Sequence, residues 1–436
     1  MSQVEKFDYH THYQSVFQKF IKENHCPLLE FRKRAFEFFD AKGFPSQKVE
    51  DWRFTNCYEI ADKEFVSSNE KVSLTNADIE QFIFEGLDVI KLVLVNGSFS
   101  PELSTLSETG ISVTPISQML FNHDSRLEKL GTLQSCEEDV FSALNSTFFR
   151  DGFFIDIANN SKLDKPIQII NIEHDRTPQT FNAVRHFISV GENANVKIVN
   201  SQHSVSSESD TLINEVSELK VAKNADVEFI SIQQADQSHR YFSHLSADLA
   251  ENSNLVTNHI DFGGKLVRHN QTIRLTESNA NAEAYGVYIG HDKQQIDNYL
   301  FVEHISPGCT SNQLFRGILT DKSKGVFKGR VKVDRQAQKT DAMQSSKALL
   351  LSDDAQSHNM PQLEIYADDV RCTHGATVGE LDKDALFYLK SRGISEEKAQ
   401  RILTIAFAEE VVDNLSIESV RQTVYSLIDQ SLSTDL

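Results

Sequence analysis

Cys372 and His374 are the residues best placed to do metal chemistry, in Arg371-Cys372-Thr373-His374. Residues two apart on a strand project to the same face, so a thiolate and an imidazole would be offered together. That pairing suits iron or zinc. Two ligands do not close a site. Glu364, Asp368, Asp369 and His358 lie near enough in sequence to complete one, or to stand solvated at corners of the chain. Read alone, the pair also fits a buried thiol beside a hydrogen-bonded histidine. A second candidate is Cys309, in His304-Ile305-Ser306-Pro307-Gly308-Cys309, where the Pro-Gly turn favours a packed thiol.

The cysteines are Cys26, Cys57, Cys136, Cys309 and Cys372. Their number is odd and none forms a C-x-x-C pair. A disulfide framework or an all-cysteine zinc site is not expected, and a reducing cytoplasm fits best. There is no phosphate-binding loop: Gly263-Gly264-Lys265-Leu266 lacks both the upstream glycine and the hydroxyl that would hold Mg²⁺. No G-x-S-x-G, H-E-x-x-H or strand-following G-x-G-x-x-G occurs. Any energy the process needs must come from another protein.

The elements that position these residues fall into three parts. The 436 residues suggest about three domains. With 18 Gly and 8 Pro, collagen and long disordered linkers are excluded. The formal net charge of −20 argues against nucleic acid as a partner. The polar Met1–Lys6 segment does not read as a secretory signal, and no apolar run reaches bilayer length. Residues 1–152 read as mostly helical. Val16, Phe17, Phe20 and Ile21 form one stripe. A second helix covers Leu28 to Lys42 and stops at Gly43. Trp52 reads as a loop anchor, and Leu92–Val95 as a buried strand. Residues 153–378 change to strands, at 153–157, 167–172, 196–199 and 227–232. Residues 379–436 are helical again. One helix spans Asp382–Arg392 with Leu386, Phe387 and Leu389. A second is capped by Ser395 and carries Ala399, Ile402, Leu403, Ala406 and Phe407. A last one is capped by Ser416, with Val420, Val424, Leu427 and Ile428 buried.

Within the strand region a weak repeat recurs. Asn193-Ala194-Asn195-Val196 is echoed at Asn224, Asn252 and Asn279, each time as a polar turn, a small residue and an alternating strand. Asparagine tolerates the left-handed backbone of a tight corner, and a small residue lets coils approach. The pattern predicts a solenoid of stacked β coils. An antiparallel sandwich with asparagine-rich turns is the competing architecture.

A longer series of residues carries a family resemblance. It comprises Glu50-Asp51-Trp52-Arg53-Phe54-Thr55, Phe327-Lys328-Gly329-Arg330-Val331, Ala337–Ala342, Leu349-Leu350-Leu351-Ser352, Pro361–Ile365, Ala367–Val370, Cys372–Gly379 and Phe387–Ile394. This series resembles the SufB/SufD family of the SUF iron–sulfur cluster assembly system, most densely over 310–410. The resemblance implies a mainly β fold, a right-handed parallel β-helix core flanked by helical N- and C-terminal regions. It implies a non-catalytic scaffold in the SufBCD complex. Such a chain pairs with SufB through the β-helix and with the ATPase SufC through the C-terminal helices. Two departures favour the SufD side of the family. Ser346 stands where SufB members carry an assembly cysteine, and Thr373-His374-Gly375 replaces their Glu-His-Glu.

By the same resemblance, His374 matches a histidine proposed to contribute to a nascent cluster at the SufB interface, with Cys372 beside it. Tyr388, Arg392, Gly393, Ala399 and Phe407 match the ATPase-docking motif. Ala399 and Phe407 could equally just pack the tail helices. No cofactor is expected to bind tightly to this chain alone. A homodimer is expected when it is isolated. Neither nucleic acid nor membrane is an expected partner. The other readings are a β-helix carbohydrate-active enzyme using Asp368 and Asp369, and a SufD-like homodimer in iron handling. Against the enzyme, neighbours on a strand point to opposite faces and would not flank one bond.

Overall fold

The computed structural model describes residues 8–23, 27–67, 72–174, 179–205 and 210–433. Cys26 and the Met1–Lys6 segment lie outside the described residues. The N-terminal region contains α1 (Tyr9–Glu23), α2 (Leu29–Lys42), α3 (Tyr58–Ala61), α4 (Asn76–Ile79), α5 (Ile116–Asn122) and α6 (Val140–Phe148). The expected α1 stripe packs on α2. Phe17 of α1 stacks on Phe36 of α2 at 4.4 Å. Gly43 ends α2 at φ +62°, its N–H bonded to the Phe39 carbonyl. The Asp139 carboxylate caps α6 by accepting from the Phe141 and Ser142 N–H groups. Arg32, buried in α2, donates to the Thr147 and Phe149 carbonyls at 2.8 and 2.9 Å, satisfying α6's last turn. Trp52 is buried and stacks on Phe141, the anchor its sequence context suggested.

The strands follow in chain order: β1 (Ile90–Val95), β2 (Ser98–Phe99), β3 (Ser107–Glu108), β4 (Ile111–Pro115), β5 (Phe153–Ile157), β6 (Ile167–Glu173) and β7 (Thr180–Val190). Then come β8 (Asn195–Ser204), β9 (Thr211–Val221), β10 (Asp226–Gln234), β11 (Arg240–Leu249), β12 (Asn254–Asp261), β13 (Leu266–Leu275) and β14 (Asn281–Gly290). The series closes with β15 (Gln295–His304), β16 (Thr310–Leu319), β17 (Lys324–Val333), β18 (Asp341–Leu350), β19 (Gln356–Ile365) and β20 (Arg371–Gly379). From β5 onward the chain alternates between two sheets. One is ordered β2-β1-β6-β8 and on by evens to β20. The other runs β19-β17 and on by odds to β5-β4-β3. Both sheets are parallel from β5 and β6 on, so the core is a parallel β-solenoid of about seven coils. It is not a sandwich. One parallel strand, β1, lies upstream of residue 153 and pairs with β6.

The corners are built as the repeat suggested. Asn193, Asn224, Asn252 and Asn279 all take positive φ, between +55° and +60°. Each side-chain amide donates to the asparagine of the previous coil at 3.0–3.3 Å, and the column starts one coil earlier at Asn160. It ends against Gly308, where a Cβ would sit 2.4 Å from Asn279 Oδ1. Asn252→Ala should lower stability by about 2 kcal/mol, from the left-handed angle and the amide bonds together. Asn252→Gly, which keeps the angle accessible, should lose about half as much. Urea denaturation of both variants checks this; equal losses would contradict it.

The strands are longer than their apolar runs because part of the lumen is polar. Asn200 and Gln202 of β8 and Ser231 and Gln233 of β10 are buried in the same inward columns as the aliphatic residues. The C-terminal region forms α7 (Lys383–Ser391), α8 (Glu396–Val412) and α9 (Glu418–Ser433). Val411, Val412, Leu415, Val420, Val424 and Ile428 pack on the outer face of the even sheet, against Ile230, Ile260, Val287 and Ile318. Ser395 accepts from Lys398 N–H as the expected cap of α8. Ser416 donates its N–H and hydroxyl to Glu228 of β10, pinning the α8–α9 turn to the solenoid.

Candidate functional site

The winding stops at β19 and β20, and among the described residues nothing pairs with their outer edges. β20 has no buried residue. Its ladder polarity follows from one bond: Arg371 N–H donates to the Thr340 carbonyl at 2.8 Å. Alternation then gives the odd-numbered residues to β18. The N–H and C=O groups of Cys372, His374, Ala376 and Val378 face the open side. On β19 the corresponding bond is Gln356 N–H to Ser323 C=O at 3.0 Å. The open side there belongs to Ser357, Asn359, Pro361, Leu363 and Ile365. Pro361 has no N–H to offer, which blunts that edge. The β20 edge carries no such guard.

Register tells what lies beneath the edge. Cys372 ends an inward column that runs Val227–Leu255–Ala282–Ser311–Ala342. His374 ends the next, Phe229–Thr257–Ala284–Gln313–Gln344. The spacing argument therefore holds: both share one face, at the mouth of the lumen. Gln344 Nε2 donates to Gln313 Oε1, while Gln344 Oε1, Gln313 Nε2 and the Ser346 hydroxyl are buried without a partner. Gly329 of β17 makes room for this pair, since a Cβ there would lie 2.0 Å from Gln344 Nε2. Ser346 pairs in register with Ala376.

The two candidate ligands differ in exposure. His374 is exposed, whereas Cys372 is half-buried against the Val331, Val333, Ala337 and Ala342 cluster. Burial, and then Asp341, push its thiol above the usual range, which disfavours the thiolate a metal needs. Among the described residues no three His, Cys, Asp or Glu side chains gather closely enough to hold a metal. The neighbours expected to complete a site are dispersed. Glu364 faces Arg330 at 3.8 Å, Asp369 pairs with Lys339, and His358 stacks on Phe54 at 4.0 Å. Asp368 and Asp369 lie in a bend between β19 and β20, so the strand-alternation argument made about them does not apply.

Cys309 is a packed thiol, as its turn suggested. It is fully buried, donates to the Glu277 carbonyl at 3.2 Å, and has its pKa raised by burial. Sequence reasoning missed a serine–histidine–aspartate series in the lumen. Ser243 Oγ lies 2.5 Å from His269 Nδ1, and His269 Nε2 lies 2.7 Å from Asp261 Oδ1. All three are buried. The series extends a packed polar interior in which Tyr241 and Asn200 donate to Glu215. Burial pushes the Glu215 carboxyl up.

The tail residues separate into two groups. Tyr388, Arg392 and Gly393 are exposed, with Arg392 donating to the Tyr388 hydroxyl at 3.1 Å. Ala399 is fully buried, and Phe407 packs toward the solenoid, 5.7 Å from the Arg316 guanidinium. Those two face inward, so their packing role is the one the geometry favours. Phe387, read from sequence as one of α7's apolar residues, is 72% exposed, and Ile402 is 39% exposed. The adjacent Leu386-Phe387 pair was the available signal, because one helix face cannot bury two consecutive large side chains equally. Phe387, Tyr388 and Ile402 therefore leave apolar surface on α7 and α8 open.

The model of the SUF system FeS cluster assembly SufBD core domain matches residues 172–407. The model of the SufBD N-terminal region matches residues 3–169. The iron–sulfur cluster assembly protein SufD of Escherichia coli is 30% identical over 394 residues, 89% of this chain and 90% of that one. A SufBD family protein of Synechocystis is 30% identical over 404 residues, covering 90% and 89%. SufD of Bacillus subtilis is 27% identical over 398 residues, covering 88% and 89%.

Proposed function

The chain belongs to the SufBD family of SUF-system iron–sulfur cluster assembly proteins, and we propose that it is the SufD-type scaffold of a SufBCD complex. The observation that carries this reading is the open β20 edge. It offers the unpaired N–H and C=O groups of four alternate residues, Cys372, His374, Ala376 and Val378, above a polar lumen mouth. A sheet edge of this kind is satisfied by another strand, and SufB, with a related solenoid, is the partner that fits. SufC, the ATPase, docks on the open Phe387, Tyr388, Arg392 and Ile402 surface of α7 and α8. This chain supplies no phosphate loop, so hydrolysis falls to that subunit.

The nascent cluster is cargo. His374 offers one imidazole at the mouth, and its remaining ligands come from across the interface. Ser346, in place of a cysteine, cannot carry a persulfide. Cys372 is a weaker donor because burial keeps its thiol protonated. On co-expression with SufB and SufC, His374→Ala should leave the complex intact and lower cluster yield by about tenfold or more. A yield equal to the parent's, read by iron and acid-labile sulfide, removes His374 from the site.

A second copy of this chain can meet the same open edge when SufB is missing, which favours an isologous homodimer of the isolated protein. The carbohydrate-active reading has less to stand on, since Asp369 is tied to Lys339 beside Asp368. The cytoplasm suits the chemistry of a cysteine-containing scaffold and labile clusters. Among the described residues no helix is long and apolar enough to cross a membrane.

A further inference from the structure

We propose that Arg316 and Glu410 form a latch through which movement of the docking helices α7 and α8 reaches the β20 edge; this rests on reading those helices as the ATPase seat. Arg316, on the outer face of β16, is fully buried. Its Nε and Nη2 donate to Glu410 Oε2 of α8 at 3.2 and 2.6 Å. Phe407, one turn earlier on the same face of α8, approaches the guanidinium. Glu410 is half exposed, so among the described residues the buried charge finds its carboxylate partner on the element that would move. Lifting α8 strands that charge, which makes the seat two-state rather than soft.

The third guanidinium nitrogen shows where the pull goes. Arg316 Nη1 donates to the Phe315 carbonyl at 2.8 Å. In the β16–β18 ladder, Asp341 N–H bonds the Cys309 carbonyl. Carried along the register, in which Arg316 faces Lys347, the Phe315 carbonyl accepts from Lys347 N–H. The latch thus shares an acceptor with the bond that positions β18 beside Ser346. Lys347 in turn faces Thr377 of β20. Glu410, Arg316, Phe315, Lys347 and Thr377 form one transverse line from helix to edge. Arg316 and Glu410 are positioning residues, since neither touches the cargo.

The test uses the full complex with the ATPase and the sister subunit, and reads amide hydrogen exchange over 371–379 with and without Mg·ATP. In the parent, ATP changes exchange there. In Glu410→Gln, ATPase binding and hydrolysis stay within about twofold, while the ATP-dependent difference and the cluster yield fall by about 2- to 30-fold. A merely structural role would alter exchange equally in both nucleotide states, and that outcome overturns the latch, as does a parent-like ATP response in the variant. If the parent itself binds no ATPase, or shows no ATP response at the edge, the functional reading fails and the latch with it. Arg316→Lys keeps the charge but loses the fork that reaches the Phe315 carbonyl. It is read the same way if Glu410→Gln folds poorly.

Discussion

Glu218→Ala should destabilise the protein by about 3–5 kcal/mol. Glu218 and Arg185 are both fully buried, and Arg185 donates to Glu218 through Nε and Nη2 at 3.0 and 2.8 Å. The same carboxylate accepts the N–H groups of Gly131, Leu133 and Gln134 at 2.8–3.2 Å. One side chain of β9 therefore holds the loop that precedes α6 onto the solenoid. Removing it leaves the buried Arg185 guanidinium without its counter-charge and three backbone donors without their acceptor. Arg185→Met with Glu218→Leu should recover part of the loss, because an apolar pair leaves no charge uncompensated. Chemical denaturation measures both; a loss below about 1 kcal/mol for Glu218→Ala would contradict this reading.

Ala376→Pro should weaken the pairing with the sister subunit by about 10- to 100-fold and leave the isolated chain's stability nearly unchanged. The N–H that proline deletes faces the open side of β20, so the ladder to β18 keeps all its bonds. Gly375 before it is extended, as a residue preceding proline prefers. The partner carbonyl that would have accepted from Ala376 is left unsatisfied in the interface, a cost of about 1–3 kcal/mol. Thr377→Pro, one residue on, deletes a bond to β18 and should destabilise the monomer itself. Titration of the two variants against the sister subunit, with melting curves of each alone, separates the cases. Equal behaviour of the two would refute the assignment of the open side.

The solenoid was legible because its corners are local. Asn193, Asn224, Asn252 and Asn279 each need the left-handed angle at their own position, and a small buried residue follows each. Asn160 escaped because Asn160-Ser161-Lys162-Leu163 keeps the small residue but has Lys162 where the other corners have Asn195, Asp226, Asn254 and Asn281. The strands looked short because polar lumen residues interrupt the apolar pattern although they are just as buried. The shared face of Cys372 and His374 followed from a two-residue spacing. That Glu364, Asp369 and His358 turn elsewhere did not, since Arg330 and Lys339 are brought to them by coil stacking and Phe54 by the packing of the N-terminal region on β19, not by neighbours in sequence. Arg316–Glu410 and Arg185–Glu218 were invisible for the same reason: each joins separate parts of the fold, and an ion pair has no periodicity.

The central claim is that the last coil is unfinished and a sister subunit completes it. Amide hydrogen exchange of the β20 segment, resolved to single residues, tests it when purified SufB is added. The Cys372, His374, Ala376 and Val378 amides should exchange freely in the chain held dilute enough to be monomeric and become protected in the complex, while Thr373 and Thr377 change little. A complex that forms with those four amides still exchanging freely would contradict the claim.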